Sequence, residues 1–168
     1  MIGESTRLPS TTELGARLLA SRTKLMSAVA GMSDIALRAR PRSGAWTPAE
    51  LLAHLLSTEG IFINRARKAV QERSYSVTPV SDDVREEHLH MAKRMPVPQI
   101  VHGLLAQRRD TMQFIESLSA NDLTRTLQHP ERGEQTALWQ IEHVIEHEFE
   151  HAEELHARRE TPAEEVAQ

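Results

Sequence analysis

The chain has no cysteine in its 168 residues. That excludes a disulfide framework, a thiolate metal site and a cysteine nucleophile, and leaves His, Asp and Glu as the only side chains able to hold a metal. It also lacks an apolar run long enough to span a membrane. The opening MIGESTRLPS has no apolar segment of the signal-peptide kind, so a cytoplasmic location is expected. There is no excess of basic charge: the formal net charge is -4 and the isoelectric point is near 6.1. Nothing in that balance attracts nucleic acid or an anionic membrane, and neither is expected as a partner. Strands with convincing alternation and internal repeats are missing as well.

What remains is helical. Ser10-Thr11-Thr12-Glu13 is a capping box, in which a hydroxyl and a carboxylate satisfy the first free amides of a helix. The apolar positions Leu14, Leu18, Leu25 and Val29 follow at helical spacing, and Gly31 ends the run near residue 32. Residues 38–45, with Pro41 and Gly44, read as a loop. Thr47-Pro48-Ala49-Glu50 is a second capping box with proline at the first helical position, and the stripe from Leu51 to Val70 carries that helix to about Arg73. A long connection, Ser74 to Pro98, contains a short helix over Asp82–Lys93. Two further helices span roughly Pro98–Leu118 and Thr136–Arg159, joined by a polar loop through Asn121, Pro130 and Gly133. The expected architecture is all-α: one four-helix-bundle domain over residues 1–160 and a polar tail over 161–168.

His147-Glu148-Phe149-Glu150-His151 matches the H-E-x-x-H pattern of zinc proteases, which stacks two imidazoles one turn apart beside a carboxylate. The surroundings do not suit a protease. The extended metzincin pattern requires glycine and histidine where this chain has Glu154 and Ala157, and no sheet is expected to support a peptide substrate. The third ligand is better sought upstream. His54 lies two turns into the helix with the clearest start, on the flank of its apolar stripe, as His147 and His151 lie on the flank of theirs. Flanks face the seams between helices, where three imidazoles can meet and leave a position open for water or substrate.

The block W-T-P-A-E-L-L-A-H-L at Trp46–Leu55, followed after a long gap by H-V-I-E-H-E-F-E-H at His143–His151, resembles the DinB superfamily of bacterial four-helix bundles. The resemblance implies a divalent metal, zinc or nickel, held by His54, His147 and His151. It also implies up-down-down-up connectivity, with which the long crossover between the second and third bundle helices agrees. The implied activity is transfer of a low-molecular-weight thiol of the mycothiol, bacillithiol or glutathione type to an electrophilic substrate, a chemistry that needs no protein cysteine. The alternative is a homodimeric metal-binding or stress-response bundle without catalysis. Many relatives continue past the last histidine with R-G-Q-I, whereas this chain reads Ala152-Glu153-Glu154-Leu155, a difference at the mouth of the site.

Several neighbours have open roles. His143 extends the histidine ladder by one turn, but the resemblance places the ligands on the next two rungs. Glu59 and Glu148 project into apolar stripes and must be paired there; each either supports a ligand imidazole or marks a stripe drawn too wide, and Glu148 is also a candidate base. Glu50 is accounted for by its cap, and Trp46 and Trp139 read as packing residues. Arg38, Arg40 and Arg42 are either a greeting for an anionic substrate or a solvated cluster. A ferritin-like reading, with Glu87-x-x-His90 and Glu148-x-x-His151 as paired ligands, ranks below the three-histidine site because Glu87 falls in the crossover.

Overall fold

The structure, a computed structural model, describes residues 7–79 and 82–160; the expected polar tail lies outside the described residues. Its elements in chain order are α1 (Thr11–Val29), α2 (Asp34–Arg38), α3 (Pro48–Gln71), β1 (Tyr75–Ser76), α4 (Asp82–Arg94), α5 (Val97–Glu116), α6 (Ala120–Leu123), β2 (Thr126–His129), β3 (Gly133–Thr136) and α7 (Ala137–Glu160). Both capping boxes form. The Ser10 hydroxyl accepts from the Glu13 amide and the Glu13 carboxylate accepts from the Ser10 amide; Thr47 and Glu50 do the same at α3. Glu50 is buried and also receives Arg40 at 2.6 Å, while Arg38 donates to the carbonyls of Ala92 and Met95. Arg38 and Arg40 thus tie the segment before α3 to its surroundings.

α1, α3, α5 and α7 form a four-helix bundle in which α7 packs on α1 and α3, and α5 packs on the same two. Contacting residues fix the directions. Arg17 meets Glu142 and Lys24 meets Glu153, so α1 and α7 run the same way. Leu56 abuts Gly103 and Arg67 covers Phe114, so α3 and α5 also run together. His54 meets His147 while Phe62 meets Trp139, which sets α3 against α7.

The apolar core falls into two clusters, one including Leu18, Ile63, Ile115 and Ile145, the other including Leu25, Leu55, Leu104 and Ala152. Between them the four bundle helices each place one buried charge in a shared layer: Arg22, Glu59, Arg108 and Glu148. Arg22 donates Nε to Glu148 at 2.6 Å and Nη2 to Glu59 at 2.7 Å; Arg108 donates to Glu59 through Nε at 2.9 Å and to Glu148 through Nη2 at 2.8 Å. Ser21 and Thr111 add hydroxyl donors, to Glu148 and Glu59 respectively. Burial works against the Glu59 carboxylate, but Arg108 and Arg22 outweigh it and hold its pKa below the ordinary value. The waist of the bundle is therefore a closed ring of two cations and two anions.

The structure departs from the sequence expectation in the connections. A three-stranded sheet is present in the order β1-β2-β3, with β1 parallel to β2 and β2 antiparallel to β3. The strands are two to four residues long, and Leu127 is the one fully buried apolar side chain among them, too little for a period-two signal. Gly133 supplies the left-handed φ of 71° at the hairpin turn. α1 stops at Val29, and Ser33 caps the separate α2, so the first helix is shorter than its pattern implies.

Candidate metal centre

His54 sits two turns into α3, at a height fixed by the Thr47 cap, and His147 and His151 lie one turn apart on α7. The antiparallel packing of α3 on α7 brings them together. His54 Nε2 is 3.2 Å from His147 Nε2, which is 3.1 Å from His151 Nε2, and the ligating atoms of all three lie within 4.8 Å of one another. Nitrogens held at about 2.05 Å on a tetrahedral ion are separated by about 3.3 Å, close to the two spacings seen. Among the described residues this is the one group of His, Asp or Glu so placed.

At two of the three histidines the outer nitrogen has a partner that leaves Nε2 facing inward. His151 Nδ1 is 2.9 Å from Glu154 Oε2, so the proton belongs on Nδ1 and the Nε2 lone pair points inward. Arg158 holds Glu154 in turn, and also donates to the Trp46 carbonyl. His54 Nδ1 is 3.2 Å from Nδ1 of His88, a buried residue on α4. With His54 Nδ1 as donor, His88 accepts on Nδ1 and carries its own proton on Nε2, which is buried without a hydrogen-bond partner. Burial lowers the His88 pKa, consistent with a neutral ring.

Burial, followed by the neighbouring His151 and His143, pushes His147 down to about 4. Its imidazole is therefore neutral at physiological pH, the state a metal ligand requires. His143 is half-buried and stacks between Trp139 and His147, with interplanar angles of 6° and 10°. It continues the ladder as packing. Trp46 closes the other side, edge-on to His54 at 4.8 Å between ring centroids. Both tryptophans thus pack on histidines, Trp46 on His54 and Trp139 on His143.

Glu148 and Glu59 turn away from the imidazoles into the charged waist, where Arg22 and Arg108 hold both. A cavity of about 10 Å³, lined by Leu55, Thr58, Phe62 and His147 as well as Glu59 and Glu148, separates the two sites. It has room for about one water molecule. The paired Glu-x-x-His arrangement is not formed, since Glu87 and His90 are exposed on α4 and Glu148 is committed elsewhere. Sequence reasoning missed His88 and Glu154. Glu154 had a signal, three residues beyond His151 on the same helix face; His88 had none, because its contact depends on where the crossover lays α4.

A model of the DinB superfamily matches residues 17–155, a span that holds all three converging histidines and all four waist charges. Among solved structures the chain is similar to YfiT from Bacillus subtilis, described as a probable metal-dependent hydrolase with an unusual four-helix bundle topology. The TM-score is 0.73 at 21% identity, covering 94% of this chain and 95% of that one. No curated protein matches the chain. With three histidines grouped as a divalent metal needs, on a four-helix bundle, the chain belongs to the DinB superfamily.

Proposed function

We propose that His54, His147 and His151 bind one divalent ion, zinc or nickel, and that the site activates a low-molecular-weight thiol for transfer to an electrophile in the cytoplasm. The observation that carries this reading is the convergence of the Nε2 atoms of three histidines, two of which, His54 and His151, have their opposite nitrogens engaged by His88 and Glu154. A divalent ion on three neutral imidazoles keeps its positive charge and, when bound, lowers the pKa of a thiol in the remaining position. The chain's own part is positional. Trp46 and His143 pack against the imidazoles and restrict the rings, His88 and Glu154 fix the tautomers, and partial exposure of all three leaves an approach from solvent.

A metal-dependent hydrolase, the description given to YfiT, is the second reading. In the zincin manner it would use Glu148 as the base for water. Against that, both oxygens of the Glu148 carboxylate are already engaged, one by Arg22 and the other by Ser21 and Arg108. Cobalt-substituted protein tests the choice. On the thiol reading, a small thiol changes the visible spectrum as sulfur enters the coordination shell and releases a proton on binding. Turnover of monochlorobimane with a panel of thiols then separates a transferase from a homodimeric binding or stress-response protein. A spectrum that ignores every thiol overturns the transferase reading.

A further inference from the structure

We propose that Arg65 is a carboxylate-binding subsite at the far end of the α3–α7 seam, so that the small molecule taken by the three-histidine centre carries a carboxylate remote from its metal-binding atom. This rests on the metal reading above. Arg65 is only 7% exposed, yet no carboxylate pairs with it among the described residues. Its guanidinium lies over the Phe62 ring, 5.1 Å from the centroid. The two other buried arginines, Arg22 and Arg108, each bond two carboxylates. Burial lowers the Arg65 pKa, and nearby Arg132, on the hairpin turn, lowers it further against the raising effect of Tyr75. A largely buried guanidinium with a second cation nearby and no carboxylate beside it is an arrangement that an anion relieves, and its tip still reaches solvent for one to approach.

Its position ties it to the histidines. Arg65 follows His54 by eleven residues, which is three turns, about 16 Å of rise and about 20° of rotation, so both lie on one face of α3. Thr58 and Phe62 lie between them on that face, and Trp139, His143 and His147 line the opposite wall on α7. Phe62 is 4.3 Å from His143 and 6.3 Å from Trp139, ring to ring, and all of these side chains are partly exposed. The guanidinium lies over Phe62, about one turn nearer the histidines, which leaves a span on the order of 10 Å. A metal site at one end, an aromatic middle and an unpaired planar cation at the other describe a ligand with a coordinating atom, an apolar body and a terminal carboxylate, which an arginine fork can bind bidentately.

The test compares mercaptooctanoate with mercaptooctanol on the cobalt-loaded protein, following the visible spectrum. The carboxylate thiol is expected to bind about tenfold more tightly, the scale of a charge-assisted hydrogen bond. Arg65→Gln should reduce it to the affinity of the hydroxyl thiol, whereas Arg65→Lys should keep part of the preference. Arg132→Gln, on an exposed turn, should weaken the preference in a second, independently folding variant. Equal affinities in the unaltered protein overturn the subsite while leaving the metal reading intact, and so does a preference that survives Arg65→Gln. Failure of both thiols to change the spectrum overturns the thiol reading and the subsite together.

Discussion

Replacing Glu59 with leucine should be among the most damaging single changes in the chain. The carboxylate accepts from Arg22 at 2.7 Å, from Arg108 at 2.9 and 3.2 Å and from Thr111 at 2.7 Å, with its side chain 2% exposed. Its loss leaves two buried guanidiniums sharing the single carboxylate of Glu148. Breaking a buried ion pair from one side costs roughly 3–5 kcal/mol. Set against a typical total of about 5–15 kcal/mol, that is a large share. For a chain of this size it lowers Tm by about 6–20 °C. Urea unfolding followed by circular dichroism measures it, as a fall in the midpoint at constant slope. The Glu59→Leu/Arg108→Met double variant should recover part of the loss, because it restores a one-to-one pair between Arg22 and Glu148. The pH dependence has a definite sign. The folded-state pKa of Glu59 lies below its unfolded value, so its contribution is complete above the unfolded value and is lost as pH falls through the folded one. The variant's stability should fall less steeply over that acid range. A loss below about 1 kcal/mol, or a double variant as unstable as the sum of its singles, would refute the ring of charges as a coupled unit.

Further expectations follow from the same contacts. His88→Leu should weaken zinc affinity by about 10–100-fold, as loss of a ligand's outer partner does, while His88→Asn, which keeps an acceptor near Nδ1, should retain most of it; competition with a chelator reads both. Thr47→Ala should cost about 0.5–2 kcal/mol in thermal or urea unfolding through loss of the α3 cap. His143→Ala should reduce metal binding far less than His147→Ala, since His143 stacks on the site without joining it.

What was legible in the sequence depended on how local the determining physics is. The starts of α1 and α3 are written in hydroxyl and carboxylate pairs three residues apart, and the structure places Ser10 and Thr47 as those caps. The meeting of His54 with His147 and His151 could be anticipated because a well-fixed helix start and a one-turn spacing leave little freedom in height. The strands were not legible. Tyr75 pairs with Leu127, and their stabilising partners are far away in sequence while their own pattern is almost bare of buried apolar residues. His88 was hidden for the same reason. Glu59 and Glu148 are visible as anomalies, acids within apolar stripes, whose partners lie on other helices, 37 to 126 residues away in sequence. Arg22, between Leu18 and Leu25, and Arg108, between Leu104 and Ile115, interrupt their stripes in the same way. Two acids and two bases, one per helix, each breaking an apolar stripe, is a signal of a charged layer that the sequence does carry.

The central claim, that three histidines hold one divalent ion, is met most directly by elemental analysis of the purified protein after incubation with zinc or nickel and exhaustive dialysis. The account predicts about one ion per chain, and near none in His54→Ala, His147→Ala or His151→Ala variants that keep their helical circular dichroism. A folded, unaltered protein that retains neither metal, or a His147→Ala variant that retains as much as its parent, would contradict it.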